Sequence, residues 1–230
     1  MAFDDPGTAG APSVRVWDLP VRLFHWSLVV LLGFSWWSGE QHEMEWHRLS
    51  GYAILALVVF RIYWGFFGGR TARFAQFLRG PRAAVAYART LGNGSFSTEP
   101  GHNPIGGWSV VALLVAVSSM VVAGLFAVDV DGLESGPLAD YISFDQGRLA
   151  ADVHAIVFDG LLILVGLHVL AILFYVMRLR RDLVTPMITG RQRSAIGGGG
   201  FELGASTGKA ILGVVLAGAV AYAVSQGFRF

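Results

Sequence analysis

Five apolar stretches dominate this sequence, and each is long enough to cross a lipid bilayer as a helix. They lie at about residues 22–39, 47–67, 106–128, 153–177 and 207–225. A helix needs about 20 mostly apolar residues to span about 30 Å of hydrocarbon, and open sheet would leave backbone groups unpaired in lipid. Only 14% of the 230 residues are charged, against about a quarter in an average soluble domain. The chain is therefore predicted to be an all-α integral membrane protein.

The connections between these stretches differ in charge, and the difference predicts the orientation. Most basic residues lie in the N-terminal tail, the second connection and the fourth: Arg15, Arg22, Arg70, Arg73, Arg79, Arg82, Arg89, Arg178, Arg180, Arg181, Arg191, Arg193 and Lys209. The first and third connections carry acidic residues, with only Arg48 and Arg148 against them: Glu40, Glu43, Glu45, Asp129, Asp131, Glu134, Asp140, Asp145 and Asp152. Since basic connections stay cytoplasmic, we expect the N-terminus in the cytoplasm and the C-terminus in the periplasm of a bacterial inner membrane.

The chain is expected to have four parts. These are a cytoplasmic tail (1–21), a four-helix transmembrane bundle (22–178), a cytoplasmic linker (179–206) with GGGG at 197–200, and a fifth transmembrane helix (207–230). The polar first twenty residues lack the pattern of a cleavable signal peptide, so the first apolar stretch should be a retained anchor. FAQFLRGPRAAVAYARTL in the second connection suits an amphipathic helix at the lipid interface. No nucleotide fingerprint occurs, and no nucleic-acid partner is expected.

Four of the six histidines fall within or at the ends of the predicted helices, where ionisable residues are costly and therefore tend to be functional. His25 begins the first helix on the cytoplasmic side, and His47 begins the second on the outer side. His154 and His168 both lie on the fourth helix, fourteen residues and therefore about 21 Å apart on nearly the same face. Depth in the membrane thus pairs His25 with His168 and His47 with His154.

Two imidazole pairs at two depths suit one kind of cofactor best. Two neutral imidazoles on opposite sides of a planar macrocycle are what a six-coordinate electron-transfer haem requires. Zinc would need further ligand side chains at the depth of each histidine pair. A proton relay would favour carboxylates among the histidines, and Asp159 is the only one available. The chain has no cysteine, which excludes thiolate-held iron–sulfur clusters and a covalently attached c-type haem. The sequence predicts two haems b. The alternatives are histidines that only form hydrogen bonds inside the bundle, and a cofactor-free transporter.

Four further residues are candidate cofactor contacts. Gly51, four residues after His47, would make room for the outer macrocycle, although small residues are also common where membrane helices pack. Arg61 lies fourteen residues after His47, at the depth of the inner haem, where it would pair with a propionate or else snorkel to the cytoplasmic surface. Arg22 would serve the inner propionates or simply obey the positive-inside rule. His102 would hydrogen-bond the same propionates.

Several longer motifs surround these residues. They are VWDLPVRLFHW in the first helix, EWHRLSGY opening the second, GHNPIGGWS before the third, and MITGR after the paired histidines of the fourth. Over roughly residues 14–193 the chain thereby resembles the bacterial cytochrome b-561 family, which includes the cytochrome b subunits of nickel-iron hydrogenases and the superoxide oxidases. The resemblance implies a four-helix bundle with two haems b, bound by His25 with His168 and by His47 with His154, that exchanges electrons with quinone.

The fifth helix departs from the usual four-helix pattern of that family. Its glycines and alanines, as in GVVLAGAVAYA, indicate close packing on another helix, in this chain or in a partner. The fifth helix therefore raises the question of whether a further subunit is present.

Two functions are compatible with this resemblance. In the first, the chain passes electrons between a periplasmic redox protein, such as a c-type cytochrome or a dehydrogenase subunit, and ubiquinone or another quinone. In the second, it is a superoxide oxidase that reduces ubiquinone. A superoxide oxidase would need a cationic outer funnel to attract a small anion, whereas the outer connections are acidic. The first function is therefore favoured, with the inner haem edge near Arg61 and Arg22 as the preferred quinone position.

Overall fold

The computed structural model describes residues 13–92, 101–193 and 206–229. In chain order its elements are β1 (Ser13–Arg15), α1 (Leu19–Glu40), α2 (Met44–Phe67), α3 (Phe74–Phe77), α4 (Pro81–Gly92), α5 (Pro104–Phe126), a 3-10 turn (Ala139–Tyr141), α6 (Phe144–Met177), α7 (Val184–Thr189), β2 (Arg191–Arg193) and α8 (Thr207–Ser225). Among the described residues, α1, α2, α5, α6 and α8 are long and apolar enough to cross a membrane. The prediction of an all-α membrane fold with five spans is confirmed.

The fourth spanning helix, α6, begins nine residues before the apolar stretch that predicted it. Ser143 and Gln146 form a reciprocal cap at its start: the Ser143 backbone N–H donates to Gln146 Oε1 at 3.0 Å, and the Gln146 N–H donates to Ser143 Oγ at 3.3 Å. This capping box satisfies N–H groups of the first turn. Hydropathy did not predict these turns because they carry the charged residues Asp145, Arg148 and Asp152.

The expected interfacial segment and linker are divided into shorter elements. The stretch predicted as one amphipathic helix forms α3 and α4, and α4 starts at Pro81, a residue well suited to the first helical position. The expected cytoplasmic linker contains α7 and β2, and β2 pairs antiparallel with β1, with Ser13 opposite Arg193. The GGGG run at 197–200 lies outside the described residues.

Contacts within the chain define two compact units. Unit 1 comprises Met1–Leu23, Trp64–Ala112 and Val165–Ala210, and unit 2 comprises Phe24–Tyr63, Leu113–Leu164 and Ile211–Phe230. In unit 2, buried side chains of α2, α5, α6 and α8 form one apolar core, and leucines of α1 pack against it. The C-terminal helix therefore belongs to the same core as the helices that carry His47 and His154.

In unit 1, the motifs VWDLP and MITGR, which lie far apart in the sequence, contact each other. Asp18 is buried, and its carboxylate accepts from the Val21 N–H at 2.9 Å and from Trp64 Nε1 at 2.9 Å, which caps α1 and ties it to α2. Gly190 ends α7 with a left-handed φ of 82°, a conformation that glycine adopts without strain. Its carbonyl accepts from the N–H groups of Val16 and Trp17. VWDLP and MITGR thus have a structural role beside any functional one.

Candidate functional site

His47 of α2 and His154 of α6 face each other in unit 2. Their ring centroids lie 6.0 Å apart, and their planes are inclined by 76°. When two imidazoles bind one iron from opposite sides, each bond from nitrogen to iron is about 2 Å long, and each nitrogen lies about 1 Å from its ring centroid. The two centroids are then about 6 Å apart. The observed separation therefore fits two axial ligands of a single iron.

Each of these rings is held by a backbone carbonyl of a neighbouring helix. His47 Nδ1 lies 2.9 Å from the carbonyl oxygen of Ser35 in α1, and His154 Nδ1 lies 2.8 Å from that of Met120 in α5. Because a carbonyl oxygen only accepts, both Nδ1 atoms carry the proton and donate. Nε2 is then the lone-pair nitrogen of each ring, the tautomer that a metal ligand needs.

Three glycines lie at or beside the rings. A Cβ on Gly39 would lie 3.2 Å from His47 Nδ1, and a Cβ on Gly124 would lie 3.0 Å from His154 Nδ1 and Cε1. A Cβ on Gly51 would meet nothing within 4 Å, since this residue lines open space. Gly39 and Gly124 therefore let α1 and α5 approach the rings, and Gly51 leaves room beside them.

A cavity of about 340 Å³ lies beside the two histidines, entirely within unit 2. Cofactor and ligand sites typically occupy about 300–1,000 Å³ and are mostly apolar with a few polar groups. Apolar side chains of α2 and α5, including Ile54, Val121 and Leu125, line it together with both histidines and Gly51. The cavity is of the size and polarity that a large flat cofactor requires.

Two arginines that the sequence analysis did not assign to the site line this cavity. Arg48 forms an ion pair with Glu134. Arg148 donates to the Val128 carbonyl at 2.8 Å, and its second terminal nitrogen lies 3.9 Å from Asp152. Both were counted only as exceptions to the acidic outer connections. That exception was the available signal, because arginine side chains can bind the acidic groups of a cofactor.

The second histidine pair is divided between the two units. His25 lies in unit 2 and packs edge-on against Trp26, with ring centroids 4.9 Å apart. His168 lies in unit 1, on the same unbroken α6 as His154. Both side chains are partly buried. The pairing of His25 with His168 stays a prediction.

The remaining candidate residues have the following surroundings. Arg61 is buried, with 4% of its surface exposed. Arg22 Nη2 donates to the Ile188 carbonyl of α7 at 2.5 Å. His102 packs against Trp17 and Phe77, with centroid distances of 4.6 Å and 4.7 Å. Roles for Arg61, Arg22 and His102 beside propionates stay predictions.

The donor set at the cavity fits haem better than a bare metal ion. Among residues 13–92, 101–193 and 206–229, no group of three or more histidine, aspartate or glutamate side chains could hold a metal. Two imidazoles with uncommitted Nε2 atoms leave four equatorial positions to be supplied by the ligand itself. A porphyrin supplies four nitrogens in one plane.

Comparison with known proteins gives one match. The family model described as prokaryotic cytochrome b561 matches residues 16–190, a range that contains α1, α2, α5, α6 and all four helical histidines. None of the curated proteins and none of the solved structures compared matches the chain. The matched range ends before α8.

Proposed function

The chain belongs to the prokaryotic cytochrome b561 family, and on that basis we propose that it transfers electrons through two bis-histidine haems b between a periplasmic redox protein and membrane quinone. Membership of the family establishes a multi-pass bacterial membrane protein that carries electrons across the membrane with haem b. The number of haems, the two partners and the orientation are parts of the proposal.

The observation that carries the proposal is the His47–His154 pair. These two imidazoles would hold the outer haem, while the carbonyls of Ser35 and Met120 orient them. Haem b, when bound, supplies an iron centre that accepts and releases one electron. Mostly apolar side chains of the cavity would surround the macrocycle, and Arg48 and Arg148, which line the same cavity, would hold the propionates.

The inner haem is proposed on His25 and His168. The support is the fourteen-residue spacing of His154 and His168 on one continuous helix, which separates the two centres by about 21 Å along its axis. Arg61 is buried on α2, fourteen residues after His47 and therefore near the depth proposed for this haem, where it would contact a propionate. Arg22 and His102 are the further residues proposed to contact its propionates.

The charge distribution supports the proposed partners and orientation. Basic connections favour the N-terminus in the cytoplasm and the C-terminus in the periplasm, and acidic outer connections favour a basic periplasmic partner such as a c-type cytochrome or a dehydrogenase subunit. We place the haems in the bundle of residues 22–178, the cytoplasmic connection at 179–206 and an added helix at 207–230. Quinone would react near the inner haem, beside the basic cytoplasmic connections.

Superoxide oxidation is the alternative that the same haems would allow. It requires cations that are free to attract a small anion to the outer haem. Arg48 is paired with Glu134, and Arg148 has Asp152 nearby. The neighbouring carboxylates reduce the positive charge that these arginines offer to superoxide in solution, which supports the electron-transfer role.

Haem stoichiometry of single variants tests the proposal. We expect two haems b per purified wild-type chain, one after His47→Leu or His154→Leu, and one after His25→Leu or His168→Leu, with each pair of variants losing the same component in a redox titration. His42 is an exposed loop residue with a φ of 60°, so His42→Asn, which tolerates that conformation, is the control and should retain both. Loss of one component in both His25→Leu and His154→Leu would refute the assignment.

Electron donors and acceptors are tested with the same preparation. We expect a ubiquinol analogue to reduce both haems and an oxidised basic c-type cytochrome to reoxidise them. Stoichiometric reduction by superoxide, with no reaction toward the cytochrome, would favour the superoxide oxidase instead.

A further inference from the structure

The two histidines of the cavity are held by the same local arrangement on two different helices. On α1, the carbonyl of Ser35 accepts from His47 Nδ1, and the residue four positions later is Gly39. On α5, the carbonyl of Met120 accepts from His154 Nδ1, and the residue four positions later is Gly124. We call each carbonyl with its glycine an imidazole seat.

Helix geometry explains why the fourth residue must be small. In an α-helix the carbonyl of residue i already accepts from the N–H of residue i+4, so an outside donor has to approach beside that residue. A helical side chain leans toward the N-terminus and covers the preceding turn. Any side chain at position 39 or 124 would therefore cover the carbonyl that the imidazole reaches.

The measured distances agree with this explanation. A Cβ at Gly124 would lie 3.0 Å from two atoms of the His154 ring, and a Cβ at Gly39 would lie 3.2 Å from His47 Nδ1. Real Cβ atoms rarely approach a neighbour so closely, so each ring would have to turn or shift by a few tenths of an ångström. Since Nδ1 donates to a carbonyl at 2.8 Å or 2.9 Å, turning the ring would also lengthen or break that hydrogen bond.

We propose that Gly39 and Gly124, with the carbonyls of Ser35 and Met120, are positioning residues that fix the tautomer of both axial imidazoles and hold their planes near perpendicular. The inference rests on the proposed outer haem. Each seat holds one ring, and the 76° between the planes results from the different helices that carry the seats. Hydrogen bonds to the second nitrogen of a ligating histidine orient the ring and tune the metal.

The orientation of the ligand planes has a spectroscopic signature. Near-perpendicular imidazoles leave two iron d orbitals almost equal in energy, and ferric low-spin haem then gives an EPR signal with an unusually large maximal g value. More parallel planes separate these orbitals and lower that value. The outer haem is therefore expected to give the strongly anisotropic signal, which identifies it through its loss in His47→Leu and His154→Leu.

Gly124→Ala and Gly39→Ala in the full-length protein test the seats. We expect both to shift the maximal g value of the outer haem downward, more in Gly124→Ala because its contact is shorter, while the inner signal is unchanged. Pulsed EPR of the remote imidazole nitrogen should show a weakened Nδ1 hydrogen bond. The affinity for the outer haem should fall by about 10- to 100-fold, as for other residues that orient ligands.

Two control variants separate positioning from helix packing. Gly33→Ala on α1 and Gly218→Ala on α8 add a Cβ that meets nothing within 4 Å, and both should leave the signal unchanged. Alanine generally favours a helix over glycine, so helix propensity would not explain a loss.

The outcomes distinguish this inference from the proposed function. Wild-type EPR spectra and outer potentials in both Gly39→Ala and Gly124→Ala would overturn the seats alone. A wild-type chain that binds no haem would overturn the proposed function and the seats together. If Gly124→Ala loses its outer haem entirely, the milder variant Gly39→Ala becomes the test. An unchanged maximal g value in Gly39→Ala would then count against the seats.

Discussion

At the scale of single residues, two arginines of α2 lie near the depths of the two proposed haems. Arg48 follows His47 directly and lines the cavity, where Glu134 balances part of its charge. Arg61 is 4% exposed and lies near the other end of α2. Neutral residues at either position would remove a cation that favours the reduced, less positive form of a nearby iron. Substitutions at these two positions of one helix can therefore be compared directly.

We expect Arg48→Leu to lower the potential of the outer haem and Arg61→Leu to lower that of the inner haem, each leaving the other nearly unchanged. A unit charge about 10 Å away at an effective dielectric constant of about 20 contributes about 1.7 kcal/mol, and partial exposure of Arg48 reduces its effect to a few tens of mV. Glu134→Gln should raise the outer potential, since it removes an anion. Redox titration measures the potentials of both haems in all three variants. Equal shifts at both haems would contradict the proposed positions of these side chains.

At the scale of elements, α8 shows how small residues are used. Gly213, Ala217, Ala221 and Val224 form its buried stripe. A Cβ on Gly213 would lie 2.6 Å from the Tyr63 ring of α2, and Ala221 and Val224 belong to the core of unit 2. Of the two possibilities in the sequence, packing within the chain or on a partner, this stripe packs within the chain. The opposite face, with Val214, Val215 and Leu216 exposed, suits lipid.

Gly213→Leu is therefore expected to destabilise the protein, because the Cβ atom of the new side chain would already clash with the Tyr63 ring. Overpacking of this kind typically costs about 1–3 kcal/mol. Thermal loss of the haem absorbance should occur at a lower temperature than in wild type. Gly218→Leu, at an exposed position with nothing within 4 Å, is the control and should melt as wild type does. Equal melting of the two variants would mean that α8 does not support the core.

At the scale of the whole molecule, charge separates the connections into an acidic and a basic group. The acidic group includes the structured connection between α5 and α6, where Val128 pairs with Ser135 and Arg229 contacts Asp140. The basic group includes α4 and the segment after α6. Placing the acidic group in the periplasm puts the cavity of His47 and His154 near the periplasmic surface, where a soluble partner could reach it.

Reporter fusions test this orientation. Alkaline phosphatase fused after Phe230 should be active, since it folds only in the periplasm, and a fluorescent protein fused after Arg181 should be bright, since it folds in the cytoplasm. Exchanging the two reporters should abolish both signals. The opposite pattern would invert the proposed topology and move the His47–His154 site to the cytoplasmic side.

The sequence by itself determined the number of spans and their approximate positions, and it identified four helical histidines as candidate haem ligands. Hydropathy is a local property, and a helix satisfies its backbone within its own segment, so both can be read along the chain without knowing neighbours. His154 and His168 lie on nearly the same face of their helix, and this follows from helix periodicity alone. The early start of α6 was missed because its first turns are polar and depend on the Ser143–Gln146 cap.

Only the tertiary structure decided which groups surround the histidines. The carbonyls of Ser35 and Met120, the glycines beside them and the Arg48–Glu134 ion pair come from segments far apart along the chain. Their contacts depend on how far each helix is rotated and shifted against its neighbours, and apolar sequences in lipid fit many such arrangements almost equally well. Close packing and the few polar contacts select one of them.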